Sequence, residues 1–336
     1  STDDIFRIAS MTKAITSLAV LMLWEEGKFN LDDPIENYIP EFKNLKILTD
    51  FNQKDSSYSS KPAKKKITIR HLLTHTSGIG YGVIDSDPRF NAIYNNHGII
   101  DLYTTDSICI KSNIQKLAQL PLHHEPGEDF TYSEGLDVLG YFIEIISKKS
   151  LDVFFRERIF EPLEMLDTYF YLPVTHQDRL VPVQTKKDGF WTKHQADFYD
   201  TNYPIKGAKM FLSGGAGLSS TTADYSNFLQ MFLNHGSYKG KQILGKKTVE
   251  LVFVNQNSHS PNTSIGLAFG LVSEKDQVLG GKGSAGSIYW GAYFNTYFFA
   301  DPEEELIGII YMQTRGGYSF LTSIKFKSLV YQSLIN

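Results

Sequence analysis

The motif Ser10-Met-Thr-Lys13 is the strongest candidate for chemistry in this sequence. Residues at positions i and i+3 of a helix lie on one face, so Ser10 and Lys13 are predicted to be neighbours. A serine hydroxyl is a weak nucleophile until a neighbouring base takes its proton. A lysine can be that base when burial favours its neutral form. The same spacing also arises when a serine caps a helix beside an exposed lysine, so the motif needs support from other residues.

Two further segments supply that support. Tyr132-Ser-Glu134 follows a Pro-Gly turn and precedes a predicted helix, which places Tyr132 on a loop that can project into a cleft. Trp290-Gly291-Ala292 lies in a β-rich segment, where a glycine allows a ligand to approach the backbone closely. The alternative is that Tyr132 is one more buried aromatic among 19 tyrosines and that Trp290 packs in the core.

The hydrophobic pattern predicts the elements that position these residues. A helix from Ser10 to Glu26 is apolar nearly all round, which is typical of a helix inside a protein, and Gly27 ends it. Other helices are predicted over Ile67–Thr76, Leu136–Ser147, Leu151–Ile159, Thr222–Asn234 and Phe320–Leu334. Strands are predicted within Ile265–Val272, Ser287–Ala300 and Leu306–Thr314. Residues 52–66 are predicted to be a polar surface insertion that ends in a solvated loop at residues 61–66, and residues 80–115 are predicted to be irregular.

This order of elements predicts an α+β fold, with an antiparallel sheet flanked by helices and a helix-rich domain inserted between its halves. The sheet domain would comprise residues 1–66 and 264–336, and the helix-rich domain residues 67–263. Residues 80–115 and about 184–212 carry Tyr, Phe and Trp191, and we expect them to line or cover the cleft.

Composition narrows the function classes. The chain has 336 residues, a formal net charge of −4 and 42% hydrophobic residues, as in an ordinary globular protein. Neither a nucleic acid nor an anionic membrane surface is a predicted partner. The longest apolar stretch, residues 14–24, is about half of the ~20 residues that a membrane span needs. The single cysteine, Cys109, excludes an intrachain disulfide and a cysteine-rich metal site.

Two other patterns resemble a zinc motif and a nucleotide-binding loop, but each lacks a required feature. Neither a metal nor a cofactor is therefore predicted. His71 and His75 have helical i, i+4 spacing, but no glutamate stands between them as in a H-E-x-x-H zinc motif. Gly281-Lys-Gly283-Ser-Ala-Gly286 matches G-x-G-x-x-G, but a β-rich segment follows it where a nucleotide-binding loop would open a helix.

Many segments of the chain resemble, in order, the serine β-lactamase-related family, which includes class C β-lactamases, DD-peptidases and family VIII carboxylesterases. The matching segments are Phe6–Lys13, Leu31–Pro34, Ile69–Gly78, Pro126–Glu128, Tyr132–Ser133, Asp137–Gly140, Ile159–Leu163, Met165–Thr168, Gly214–Leu218, Ala223–Tyr225 and Tyr297–Pro302. The resemblance implies the class C β-lactamase-like fold. It also implies a helix and two strands before the Ser-x-x-Lys motif, so we expect further residues upstream of Ser1.

The resemblance assigns roles to individual residues. Ser10 would be the nucleophile, Lys13 its base or electrostatic partner, and Tyr132 the residue that relays the proton to the leaving group. The backbone amides of Ser10 and Tyr293 would form the oxyanion hole. Trp290, Gly291, Ala292 and Glu134 would contact the substrate.

Two departures from the family pattern favour its esterase branch. Glu134 stands where β-lactamases and peptidases of this family usually carry Asn, and Trp290 stands where they usually carry the lysine of Lys-Thr-Gly. An indole cannot pair with a substrate carboxylate as that lysine does. A Trp-Gly third motif is similar to that of the esterases.

The predicted function is therefore hydrolysis of carboxylic esters through an acyl-enzyme at Ser10. The alternatives are a D-aminopeptidase, a DD-peptidase or a weak β-lactamase, an acyltransferase, and a non-catalytic penicillin-binding-like module. A small-molecule ester or amide is the expected substrate. The sequence does not predict the oligomeric state or the cellular location. The expected upstream residues weakly favour a periplasmic or secreted protein.

Overall fold

The computed structural model describes residues 2–257, 263–279, 283–316 and 319–334. The first and last residues of its helices are α1 Thr12–Glu25, α2 Ile69–Leu73, α3 Pro88–Asn96, α4 Ile110–Leu117, α5 Gly135–Ser147, α6 Leu151–Phe155, α7 Thr222–Leu233, α8 Lys246–Val252, α9 Glu274–Val278 and α10 Ser319–Gln332. Short 3₁₀ turns cover Ala9–Met11, Ile35–Asn37, Pro40–Asn44 and Val174–Arg179, and a π-helical turn, Arg156–Phe160, continues α6.

The strands are mostly short. They are β1 Phe6–Arg7, β2 Lys46–Phe51, β3 Tyr58–Pro62, β4 Gln184–Lys187, β5 Phe190–Lys193, β6 Ser219–Ser220, β7 Ser237–Tyr238, β8 Lys241–Gln242, β9 Gly270–Leu271, β10 Ile288–Gly291, β11 Tyr297–Asp301, β12 Leu306–Ile310 and β13 Thr314–Arg315. The largest sheet is antiparallel with the order β12-β11-β10-β9. Helix α7 packs against β11 and β12, and α10 packs against β12. The chain has the predicted α+β fold.

Helix α1 is the centre of the core. Every residue from Thr12 to Leu23 is buried, as its uniformly apolar sequence predicts, and α1 packs against α5. Gly27 follows the helix with φ +68°, the left-handed conformation that ends many helices. One hydrophobic cluster joins α1 to residues of both predicted domains, including Phe142 and Phe298. The domain boundaries stay a prediction.

Three expectations about local structure are wrong. Residues 61–66 are not all loop, because Lys61 and Pro62 end strand β3, which pairs with β2 in a hairpin. Residues 80–115 contain two helices, and α3 begins where the Asp87 side chain accepts the Arg89 N–H and Pro88 takes the first helical position. The single β run predicted from Ser287 to Ala300 is a hairpin, β10 and β11, whose turn contains Asn295 at φ +66°.

One predicted feature, the G-x-G-x-x-G match at residues 281–286, falls partly outside the described residues. In the glycine-rich segment, Gly281 and Lys282 are not described, and Gly283 has φ +90°. No helix in the described part of the chain is long and apolar enough to cross a membrane.

Candidate active site

Ser10 lies in the 3₁₀ turn Ala9–Met11, directly before α1. The α-helix begins at Thr12, two residues later than the predicted start. Ala9 has φ +42°, a conformation in which a residue with a Cβ is strained by about 1–3 kcal/mol, and strain of this kind is concentrated at functional sites. The turn presents Ser10 at the positive end of the α1 dipole, which favours negative charge on the hydroxyl.

The backbone beside Ser10 offers free hydrogen-bond donors. No described residue accepts a hydrogen bond from the N–H of Ser10 or from that of Tyr293. Strand β10 packs against the Ala9–Met11 turn, and Ala292 and Tyr293, which follow β10, pack against the hydrophobic cluster that contains Ala9. Free amides next to a nucleophile suit an oxyanion hole, whose donors meet the charge that develops in the transition state. That role of the two amides stays a prediction.

Lys13 is buried, and its ammonium nitrogen has two oxygen acceptors. Nζ donates 2.8 Å hydrogen bonds to the hydroxyl oxygen of Tyr81 and to the carbonyl oxygen of Gly215. The same nitrogen lies 4.8 Å from the centre of the Tyr132 ring. Lys13 and Tyr132 are therefore brought together, as the sequence predicts. The phenol that accepts a hydrogen bond from Lys13 is that of Tyr81, which the sequence analysis did not single out.

Aromatic rings enclose the space above Lys13. The Tyr132 ring lies 5.3 Å from Tyr81, 4.8 Å from His75 and 6.0 Å from Trp290, between ring centres. Trp290 stacks nearly parallel to His75, at an interplanar angle of 8°. Its indole N–H is buried and has no hydrogen-bond partner among the described residues. The structure thus places Trp290, like Tyr132, in the wall of this site.

His75 is a neutral member of that wall. Its Nδ1 accepts the backbone N–H of Ser133 at 3.2 Å, so the ring proton belongs on Nε2. Burial lowers the pKa of His75 well below its usual value, and the charge of Lys13 acts in the same direction. The ring is therefore uncharged at neutral pH. Among the described residues, no three His, Cys, Asp or Glu side chains are grouped as metal ligands.

Asp137 fixes the second acceptor of Lys13. Its Oδ1 accepts hydrogen bonds from Ser213 Oγ at 2.6 Å and from the Gly215 N–H at 3.1 Å. Burial raises the pKa of Asp137, while Lys13 and the hydrogen bond from Ser213 oppose that rise. Gly215 has no room for a side chain, because a Cβ would collide with the Asp137 carboxyl group. The carbonyl that receives the Lys13 ammonium is therefore held rigidly.

Comparison of the sequence with known proteins shows the family to which the chain belongs. The beta-lactamase sequence profile matches residues 1–325. The chain belongs to the beta-lactamase family. It is 32% identical over 326 residues to Protein Rv1367c of Mycobacterium tuberculosis, covering 93% of this chain and 78% of that protein.

Two further similarities refine this result. The chain is 28% identical to Esterase EstB of Burkholderia gladioli, covering 89% of this chain and 74% of EstB. The solved structure of EstCE1, described as a hydrolase with promiscuous acyltransferase activity, has the same fold with a TM-score of 0.81 at 22% identity, covering 98% of this chain and 85% of that one. The chain is a serine hydrolase of the β-lactamase-related class.

Within this β-lactamase-family chain, the structure separates one predicted substrate contact from the others. Gly291 ends β10, the strand that packs against the Ala9–Met11 turn, and Ala292 follows it, whereas Glu134 is fully buried at the start of α5. Substrate contact by Glu134 stays a prediction. The signal for Tyr81 was weak, because it follows the family segment Ile69–Gly78 in a stretch with no periodicity.

The two segments expected to line the cleft contribute to one aromatic cluster beside the site. Tyr81 and Tyr103 from the first segment and Tyr199 and Tyr203 from the second pack with Phe294. Tyr199 also lies 6.0 Å from Tyr293, between ring centres. Their role as a lid stays a prediction.

Proposed function

We propose that this protein hydrolyses small carboxylic esters through an acyl-enzyme formed at Ser10. The observation that carries the proposal is the buried Lys13, held between the Tyr81 hydroxyl and the Gly215 carbonyl one helical turn from Ser10. A lysine next to a serine is the arrangement that a serine nucleophile needs, because a base must take the hydroxyl proton as attack begins.

The reaction follows from these positions. Lys13 in its neutral form accepts the proton of Ser10 Oγ as the oxygen attacks the ester carbonyl. The N–H groups of Ser10 and Tyr293 donate to the resulting oxyanion, and each such donor contributes about 10²–10³ in rate. Tyr132 passes a proton to the departing alkoxide as the C–O bond of the ester breaks, and Lys13 gives the proton taken from Ser10 to Tyr132. Water then attacks the acyl-enzyme, which releases the carboxylic acid and returns the proton to Ser10.

The third-motif position supports esters over β-lactams. Trp290 presents an aromatic surface where the lysine-bearing members of the family have a cation. The ring stacked on its face is the neutral His75, so no charge is added there. An ester of modest size needs no carboxylate contact and can bind against such an apolar wall.

One observation favours a second candidate, amide hydrolysis of a carboxylate-bearing substrate such as a β-lactam. The Arg315 guanidinium stacks 3.4 Å above the centre of the Tyr293 ring, and its Nη1 donates to the Tyr293 carbonyl oxygen at 2.6 Å. No described carboxylate forms an ion pair with Arg315. A cation beside the predicted oxyanion hole could replace the missing lysine.

A paired rate assay separates the two candidates. We expect p-nitrophenyl butyrate to be hydrolysed at least about 100-fold faster than a chromogenic cephalosporin in kcat/KM, with both rates lost in Ser10→Ala. Arg315→Gln should leave ester turnover within about threefold of the wild type, because that substrate offers no carboxylate. Comparable cephalosporin turnover that disappears in Arg315→Gln would instead favour amide hydrolysis of a carboxylate-bearing substrate.

A further inference from the structure

Two buried carboxyl groups lie behind the Lys13 site, and one of them, that of Glu134, lacks the donors that a carboxylate requires. Neither Glu134 oxygen receives a hydrogen bond from a described N–H or O–H group. The neighbour within hydrogen-bonding reach of Glu134 is Asp101, itself 5% exposed. Two ionised carboxylates in a dry interior repel each other, and each would also lose its hydration. The pair is therefore compatible with burial only if it holds one proton.

The surrounding hydrogen bonds assign that proton. Asp101 accepts the Gly82 N–H on Oδ1 at 2.9 Å and the Val83 N–H on Oδ2, so it is the ionised partner. Glu134 has no such donors and is the neutral acid that donates to Asp101. Burial, reinforced by the charges of Asp101 and Asp137, raises the pKa of Glu134 well above its usual value, while Lys13 opposes that rise.

This carboxyl pair anchors the loop that carries Tyr81. Asp101 holds the loop at residues 82 and 83, and the backbone N–H of Glu134 donates to the Gly80 carbonyl oxygen at 3.1 Å. Tyr81 lies between these anchor points and receives the Lys13 ammonium on its hydroxyl. Movement of the loop would therefore move one of the two hydrogen-bond acceptors of Lys13.

We propose that Glu134 is a positioning residue, which donates its carboxylic acid proton to Asp101 and so holds Tyr81 against Lys13. The inference rests on the proposed role of Lys13 and explains why a glutamate follows Tyr132-Ser. Other titratable groups face the pair from each neighbouring element. They are Asp137 on α5, Lys13 on α1, Tyr94 on α3, and Tyr81 and Asp85 in the loop.

The inference predicts a pH dependence with a definite sign. A group whose pKa is raised by folding binds its proton more tightly in the folded state, so its deprotonation opposes folding. The free energy of unfolding should fall as pH rises from the ordinary range of a glutamate towards the raised pKa of Glu134. Activity should decline on the alkaline side, when the pair becomes doubly charged and the Tyr81 loop loosens.

The test compares three variants by pH profile. Glu134→Gln keeps a neutral donor to Asp101 but does not titrate, so the alkaline decline of kcat should move to higher pH. Glu134→Ala removes the donor and should lower kcat by about threefold to tenfold, no more than the loss of the Tyr81 hydroxyl itself, because a displacement of Tyr81 misplaces Lys13. Glu144→Gln is the matched control. It replaces an acid of α5 whose pKa is also raised by burial but which bonds the Leu151 N–H, and its profile should equal that of the wild type.

Denaturant unfolding from pH 5 to 9 gives a second readout that does not depend on Ser10 chemistry. Stability should fall with pH in the wild type and in Glu144→Gln, and less steeply in Glu134→Gln. Identical profiles for the wild type and Glu134→Gln, in both kcat and stability, would overturn the inference. Labelling of Ser10 by a fluorophosphonate, measured in parallel, tests the proposed function separately.

Discussion

Replacing Lys13 by methionine should reduce kcat/KM for p-nitrophenyl butyrate by about 10²–10⁴-fold, the range attributed to a general base. Methionine has nearly the same length and can fill the buried space. It leaves the Tyr81 hydroxyl and the Gly215 carbonyl without their donor. An unsatisfied buried polar group costs about 1–3 kcal/mol, so a loss of that size in stability should accompany the loss of rate. Steady-state kinetics and denaturant unfolding measure the two effects.

A second substitution at this position distinguishes a base from a purely electrostatic partner. Lys13→Arg keeps the positive charge, but a guanidinium does not give up its proton in proteins. We expect Lys13→Arg to be as inactive as Lys13→Met. Recovery of most of the wild-type rate in the arginine variant would assign Lys13 an electrostatic role, and a methionine variant within about fivefold of the wild type would remove Lys13 from the mechanism.

Removal of the Tyr132 hydroxyl is the second large effect. Tyr132→Phe keeps the ring that packs against His75 and Trp290, so stability should change by less than about 1 kcal/mol. The leaving alkoxide loses its proton donor, and kcat should fall by about 10²–10³-fold while KM changes little. An activated ester with a good leaving group should be affected less than an alkyl ester. The ratio of kcat for the two substrates therefore reports the role directly.

Tyr81→Phe is the matched comparison, because both tyrosines lie within reach of Lys13. Tyr81 is fully buried, and burial raises the pKa of its phenol well above the usual value, with Tyr132 and the nearby carboxyl groups contributing. It is therefore a fixed neutral acceptor. We expect about a tenfold loss in Tyr81→Phe with no dependence on the leaving group. If Tyr81→Phe showed the leaving-group dependence and Tyr132→Phe did not, the two roles would be exchanged.

The sequence predicted the parts of the site that depend on local spacing. Ser10 and Lys13 are three residues apart, and the apolar sequence after them predicts a buried helix, so their proximity follows from the chain itself. Tyr132 and Trp290 are at least 119 residues from that motif. The family resemblance is what assigned Tyr132 and Trp290 to the same site as the Ser10–Lys13 motif. The structure places both rings at the Lys13 site.

Other features had no local signal. The partnership of Tyr81 with Lys13 depends on a loop held by Asp101 and by the start of α5, which are long-range contacts. Helix α3 was missed because its Asn-rich sequence has weak helix propensity, and its capping and packing decide the outcome. The burial of Glu134 also follows from tertiary packing, since the charge of a glutamate ordinarily predicts exposure.

Trapping the acyl-enzyme tests the central claim most directly. The wild-type protein is mixed with excess p-nitrophenyl butyrate, quenched in acid within the first turnovers and analysed by intact mass and peptide mapping, with Ser10→Ala treated in parallel. We predict one butyryl group per chain, located on the peptide that contains Ser10, and no adduct in Ser10→Ala. A butyryl group on another residue, or an equal adduct in Ser10→Ala with ester turnover retained, would contradict the assignment of Ser10 as the nucleophile.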